Sequence, residues 1–190
     1  MEKRVVAFVV LFIFILFGYI GHRMTGNTIS TGTVNLTVDT ISSVNFTISD
    51  IDWGSGAFDD GAGYALLVSN GTVENGNWTP VSDGFVIENN GNVGLIFNLS
   101  FGKNASELIG GSGPEYLFKV SDVESGSCTP ASGFNLDQWY NISTESVSIC
   151  SNFNSTDLND LIKIDLYLKI PSNSKSGSLN DTLTASYEVI

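Results

Sequence analysis

"VGLIFNLSF", residues 93–101, has a large apolar side chain at every second position. A strand places every second side chain on the same face. The residues that would share the apolar face are Val93, Leu95, Phe97, Leu99 and Phe101. The N-x-S triplet has the same period of two, so Asn98 and Ser100 fall on the opposite face. The stretch therefore predicts a strand with one face in the core and one in water.

Similar runs, separated by turn residues, recur along the chain. We assign nine strands: Val34–Thr40, Val44–Trp53, Tyr64–Ser69, Phe85–Asn89, Val93–Gly102, Glu115–Ser121, Ser146–Cys150, Leu161–Ile170 and Thr182–Val189. Asn89–Asn92 would join two of them in a hairpin, and Ser155–Ile162 suggests one helical turn. The pattern predicts an all-β fold, a single antiparallel β-sandwich of about nine strands.

The N-terminus carries a segment that belongs to export rather than to the fold. Val5–Gly21, after "MEKR", comprises 17 uncharged, mostly apolar residues, and as a helix it would reach about 25 Å. It is a cleaved signal peptide or a retained membrane anchor with Lys3 and Arg4 inside the cell. We divide the chain into this segment (1–24), a short tether (25–33) and an extracytoplasmic domain (34–190).

The chain is acidic, with a formal net charge of -12. Phosphate neutralisation needs clustered Lys and Arg, and no arginine follows Arg23, so nucleic acid is not an expected partner. The expected partners are the membrane, through the N-terminal segment, and further copies of the chain. The expected location is the cell surface or the extracellular space.

Cys128 and Cys150 are the only cysteines and have no neighbouring histidine or third cysteine to build a metal site. In an exported chain two cysteines pair more readily than they stay free, so we predict a disulfide.

Nine N-x-S/T triplets occur, none with proline in the middle. Where they lie in strands, the asparagine and the hydroxyl share the solvent face and the middle residue enters the core. We predict N-glycosylation among Asn35, Asn45, Asn70, Asn77, Asn98, Asn104, Asn141, Asn154 and Asn180.

Residues for catalysis are few. His22 is the only histidine and lies beside the apolar segment, so Ser-His, Cys-His and zinc centres are not expected in the domain. A pair of carboxylates remains the one enzymatic alternative. We therefore predict a non-enzymatic protein without an obligatory cofactor.

Two clusters could bind ligands. Asp50, Asp52, Asp59 and Asp60 flank a glycine-rich loop that is either a calcium site or an ordinary solvated acidic turn. The second cluster comprises three tryptophans that either pack against the core or form a sugar-binding platform: Trp53, Trp78 and Trp139.

"FVIENNGNVGLIFNLSF" and the closing "DLIKIDLYLKIPSNSKSGSLNDTLTASYEVI" resemble exported surface β-sandwich proteins of the camelysin and TasA-type fibre-subunit kind, and related archaeal surface proteins. The dense triplets fit an archaeal envelope. The resemblance implies a structural role, a filament or coat subunit, in which one chain's extended strand fills an open sheet edge of the next. Within Thr28–Val38, the donor face would be Val34, Leu36 and Val38. The alternatives are a first strand paired within its own domain and, for function, a membrane-anchored adhesion or carbohydrate-binding module.

Overall fold

The computed structural model describes residues 36–38 and 40–190. The chain divides into two units, Met1–Val38 and Asp39–Ile190. Of the first unit, Leu36–Val38 is described; these residues are exposed and lie outside regular structure. The second unit contains every described strand.

Eleven strands and one helical turn are found within residues 40–190. The strands are β1 (Val44–Ile48), β2 (Tyr64–Val68), β3 (Thr72–Glu74), β4 (Phe85–Asn89), β5 (Leu95–Phe101), β6 (Glu115–Asp122), β7 (Cys128–Pro130), β8 (Tyr140–Asn141), β9 (Val147–Phe153), β10 (Leu161–Pro171) and β11 (Leu183–Val189). The turn is α1 (Ala105–Leu108), which follows β5. All strand pairs are antiparallel.

The seven-stranded sheet is built around β10. One edge of β10 pairs with β6, which also pairs with β8, and the other edge pairs first with β4 and then with β2. Ser69 bridges the change of partner: its N–H donates to the Leu166 carbonyl at 3.0 Å and its hydroxyl donates to Asp165 Oδ1 at 3.0 Å. Strands β1 and β3 complete the sheet. The second sheet has the order β11-β5-β9-β7.

The two sheets share one aromatic and aliphatic core. Phe101 of β5 lies 5.5 Å from Phe118 of β6 between ring centroids, and 5.8 Å from Tyr116. Phe97 and Phe153, both fully buried, contact each other within the four-stranded sheet. Inward side chains at every second position supply this core, as the alternation in residues 93–101 predicts. The prediction of an all-β fold with antiparallel sheets is confirmed.

The hairpin predicted around Asn89–Asn92 is wrong. β4 belongs to the seven-stranded sheet and β5 to the four-stranded sheet, so this turn carries the chain between the sheets. The physical reason is Asn89, which is fully buried and donates from Nδ2 to the carbonyls of Val93 (3.0 Å) and Phe153 (2.9 Å). One amide side chain therefore fixes the corner.

Two other local predictions need correction. The strand predicted at Val34–Thr40 is absent from its described residues, because Leu36 and Val38 are 84% and 73% exposed and lack a strand partner there. The helical turn predicted at Ser155–Ile162 is instead a tight turn, since Leu158 has a φ of 72°, outside the helical region.

The helical turn lies at α1. Asn104 caps it: Oδ1 accepts from the Glu107 N–H at 3.0 Å, and the Glu107 carboxylate accepts from the Asn104 N–H at 2.9 Å. The N-x-x-E signal for this cap is present in the sequence. Sequence reasoning also missed the short strands β3, β7 and β8, which lack a long alternating pattern.

Candidate functional site

The edge strand β11 is the most distinctive surface of the domain. It pairs with β5 over its full length, from Leu183 opposite Phe101 to Val189 opposite Leu95, without a shift of register. Its other edge has no strand partner among residues 40–190. Within the described part of the chain, the strand therefore leaves a regular row of backbone N–H and C=O groups without a strand partner.

The core side of β11 is covered along only half its length. Leu183 and Ala185 pack against the core, whereas Tyr187 and Val189 are 40% and 48% exposed. These two residues lie opposite Phe97 and Leu95 of β5, which are fully buried. Only the first half therefore follows the predicted burial alternation, and the second half leaves apolar surface uncovered.

The other described edge strands are shorter or interrupted. β1 has a register shift between Phe46 and Ile48 and carries the triplet residue Asn45 on its exposed face. β3 and β8 have three and two residues. β7 has three residues and ends in Pro130, which lacks an N–H. These are known protections against edge-to-edge pairing, and β11 has none of them.

The proposed donor residues are described only in part. Val34 lies outside the described residues, while Leu36 and Val38 are exposed. The sequence pattern predicts that Leu36, the middle residue of the Asn35 triplet, enters the core. In the structure its side chain is exposed instead. Its apolar side chain is thus free of packing within the described part of the chain.

The triplet asparagines differ from the other asparagines in their hydrogen bonds. Asn35 lies outside the described residues; none of the other eight donates a hydrogen bond from Nδ2, the atom to which a glycan is attached, within residues 40–190. The Oδ1 atoms of Asn70, Asn77, Asn104 and Asn154 instead accept backbone N–H groups. By contrast, four asparagines outside triplets donate from Nδ2: Asn89, Asn135, Asn159 and Asn173.

Exposure varies among these eight asparagines. Those on exposed positions are Asn45, Asn70, Asn77, Asn141 and Asn180, and those that are half-buried are Asn98, Asn104 and Asn154. In β5 the middle residue Leu99 is buried, as the strand pattern predicts. Glycosylation at these positions stays a prediction.

The predicted disulfide between Cys128 and Cys150 is confirmed. It joins β7 to β9, with the two Cα atoms 5.4 Å apart, within the usual range for such a bond. Both sulfurs are buried. The bridge fixes one edge of the four-stranded sheet.

The acidic loop between β1 and β2 is exposed at all four predicted metal ligands: Asp50, Asp52, Asp59 and Asp60. Asp52 Oδ1 accepts the Gly54 N–H at 2.7 Å, which stabilises the loop locally. The described residues contain no group of three His, Cys, Asp or Glu close enough to hold a metal ion. Calcium binding there stays a prediction.

The three tryptophans do not form one platform. Trp53 and Trp78 pack against the core, Trp78 edge-on to Phe58 at 5.4 Å. Trp139 lies on the outer face of the seven-stranded sheet, 5.8 Å from Tyr167. A single cluster of surface tryptophans with acidic side chains, which the carbohydrate-binding alternative requires, is therefore not found among residues 40–190.

Asp160 is a nearly buried carboxyl group beside a second carboxylate. It is 9% exposed and precedes β10, and its backbone N–H donates to Glu124 Oε2 at 3.1 Å. Burial, and then the negative charge of Glu124, raise the pKa of Asp160 above its usual range.

No family model, curated protein or solved structure matches this chain. Among the helices that the structure describes, none has the length and apolar character needed to span a bilayer. The predicted anchor, Val5–Gly21, lies outside the described residues.

Proposed function

We propose that this chain is a non-enzymatic structural protein of the cell surface, exported through its N-terminal segment, and that its copies join by β-strand addition at β11. The observation that carries the proposal is the unprotected edge of β11. A full-length, regular edge strand with uncovered apolar side chains is a site for a further strand.

The donor in this proposal is Thr28–Val38 of a second copy. Backbone N–H and C=O groups of β11 would bond to the donor backbone, and the donor side chains Val34, Leu36 and Val38 would cover the apolar surface beside Tyr187 and Val189. Backbone pairing supplies affinity, and the alternating side chains supply the register. The proposal needs no cofactor.

The test uses the full-length chain purified from its native membrane or medium. Electron microscopy would detect filaments, while intact mass and N-terminal sequencing would show whether Val5–Gly21 is retained. Val34→Asp, Leu36→Asp and Val38→Asp, introduced together, should abolish filaments and leave a folded monomer, because carboxylates cannot be buried on the apolar edge.

A matched control places the same three charges on the other face of the donor segment: Ile29→Asp, Thr31→Asp and Thr33→Asp. Filaments should persist in this variant. Filaments that survive the first triple substitution, or that disappear equally in both variants, would contradict strand donation. Adhesion or carbohydrate binding would then be the function to pursue, through binding assays with the monomer.

A further inference from the structure

Two exposed apolar residues form a tip at the end of the sandwich where β10 begins. Val123 and Leu158 are 51% and 73% exposed. They lie on neighbouring loops that hydrogen bonds tie together: the Val123 N–H donates to the Leu161 carbonyl at 3.0 Å, and Asn159 Nδ2 donates to the Ser125 carbonyl. We call Val123 and Leu158 the apolar tip.

Leu158 occupies a backbone conformation that leucine rarely adopts. Its φ is 72°, and the turn around it is closed by the Asn159 N–H, which donates to the Thr156 carbonyl at 2.8 Å. The third position of such a turn favours glycine, and a non-glycine residue there costs on the order of 1 kcal/mol. The side chain gains almost nothing in return within the domain, because it is exposed. Strain without a compensating contact inside the domain is a starting point for a functional hypothesis.

Negative charge surrounds the apolar tip. Glu124 directly follows Val123, and Asp157 directly precedes Leu158. The negative charges of both carboxylates contribute to the raised pKa of Asp160. A matching surface would combine apolar or aromatic side chains with positive charge.

Part of the outer face of the seven-stranded sheet has this composition, beside the ion pair that Lys169 makes with Glu115 at 2.8 Å. Lys119 and Lys163 lie 3.5 Å and 3.2 Å from the same oxygen, Oδ2 of the buried Asp165. Lys119 also lies 5.2 Å from the ring centre of Trp139, which contacts Tyr167. We call the surface formed by Lys119, Trp139, Lys163 and Tyr167 the lysine face.

The lysine face stands out in an acidic protein. The chain has 8 basic and 20 acidic residues, yet two ammonium groups here share one carboxylate. Lys119 and Lys163 are 26% and 33% exposed, while Asp165 is 3% exposed. The carboxylate holds the two lysines from below, which leaves the trio with one net positive charge. The negative charge of Glu115 beside Tyr167 is balanced by its ion pair with Lys169.

We propose that the apolar tip of one copy binds the lysine face of a second copy. Leu158 and Val123 would pack on Trp139 and Tyr167, while Glu124 and Asp157 would approach the two lysines. The two surfaces differ, so the contact is head-to-tail and propagates instead of closing into a dimer. It uses no part of β11 and does not depend on strand donation.

The test measures self-association in a background from which strand donation is removed. The full-length chain carrying Val34→Asp, Leu36→Asp and Val38→Asp is analysed by sedimentation velocity. We expect weak, reversible association at high protein concentration that falls as salt rises from about 50 to about 500 mM, because the charged groups are screened.

Leu158→Gly added to this background should weaken association about thirtyfold, the effect of losing a central apolar anchor. The same change should raise the melting temperature, because glycine relieves the backbone strain. Asn75→Gly is the matched control: Asn75 also has a positive φ, of 58°, and lies in the loop after β3. It should leave association unchanged.

Trp139→Ala removes the other partner surface and should weaken association to a similar extent; Lys163→Gln is a milder second variant that leaves Lys119 with Asp165. A mixture of Leu158→Gly and Trp139→Ala chains is decisive. The Leu158→Gly chain keeps its lysine face, and the Trp139→Ala chain keeps its apolar tip. The mixture should therefore form 1:1 dimers and nothing larger.

Three results would overturn the proposal. Association unaffected by Leu158→Gly would exclude the apolar tip. Loss with Leu158→Gly but not with Trp139→Ala would indicate a tip-to-tip contact. The chain can also be run through gels that contain polysaccharide, which retard a protein that binds it. If Trp139→Ala abolished such retardation and left self-association unchanged, the lysine face would be a carbohydrate site. Filaments that survive in the triple-Asp background even when Leu158→Gly is added would contradict strand donation, because neither proposed contact could then form them.

Discussion

The two edges of the four-stranded sheet are built in opposite ways. β7 has three residues, ends in Pro130 and is joined to β9 by the disulfide. Where the β7–β9 register shifts, Ser151 Oγ of β9 also donates to the carbonyls of Thr129 (3.2 Å) and Pro130 (3.3 Å). β11 has seven residues in continuous register, no proline and no covalent link.

The difference shows that this fold can protect an edge strand, since it does so at β7. At β7, the edge is short, lacks the N–H of Pro130 and is fixed to β9 by the disulfide. At β11, no described residue pairs with the backbone groups of the outer edge, and they lie next to side chains whose opposite neighbours are fully buried. Protection at one edge and not at the other of the same sheet is what a directional assembly surface requires, because pairing at both edges would be indiscriminate.

The largest expected effect comes from removing the covalent protection of β7. Cys128→Ser with Cys150→Ser should lower the free energy of unfolding by about 3 kcal/mol, because the open chain gains conformational freedom when unfolded. Denaturant unfolding measures this loss. Hydrogen exchange should accelerate in β7 and β9 and stay unchanged in β11; equal acceleration in β11 would show that the two edges are not independent.

The next effect comes from giving β11 a charge on its core side. Tyr187→Lys should weaken assembly by about thirtyfold, because an added strand would bury the ammonium group. The monomer should lose little stability, since Tyr187 is 40% exposed. Thr129→Lys on β7 is the control and should leave the critical concentration for filaments unchanged. A rise in the critical concentration with Thr129→Lys would place the assembly edge at β7.

The sequence predicts much of this fold because alternation is local information. Residues 93–101 and 161–170 show their buried face directly, and both become central strands. Pairing is not local: nothing in the pattern around Asn89 shows that its side chain bonds to Phe153, 64 positions later, and turns the chain into the other sheet. Asparagine and glycine are favoured both in hairpin turns and in a turn that connects two sheets, so the sequence does not distinguish the two.

The candidate site was harder to predict from the sequence. The alternation in Leu183–Val189 suggests an ordinary half-buried strand, and only the structure shows that Tyr187 and Val189 are uncovered. Leu158 gave no signal either, because an apolar residue in a polar loop does not reveal a positive φ. The disulfide was predictable, since two cysteines in an exported chain leave few alternatives.

A stabilising change away from both edges separates assembly from partial unfolding. Asp160→Asn should raise the free energy of unfolding at pH 7, by less than about 1 kcal/mol. The wild-type carboxyl has a raised pKa, so its charged form is penalised in the folded state. The gain should therefore be present above the folded-state pKa and absent below the unfolded value of about 3.9.

Urea unfolding at pH 7 and at low pH measures this gain. Filament assembly through β11 should not change, because the edge is untouched. A critical concentration that rises with Asp160→Asn would mean that copies join through a partly unfolded state. The contrast between the two edges would then describe the folded monomer but not the assembly.

The smallest effect concerns the only charge on β11. Glu188 is exposed and lies opposite Ile96, and in a negatively charged protein it opposes the approach of another copy. Glu188→Gln should lower the critical concentration for filaments about twofold, the size expected for one screened surface charge. Glu145→Gln changes the net charge equally but lies before β9, away from the edge. An equal shift in both variants would mean that net charge, and not the edge of β11, sets the concentration at which copies join.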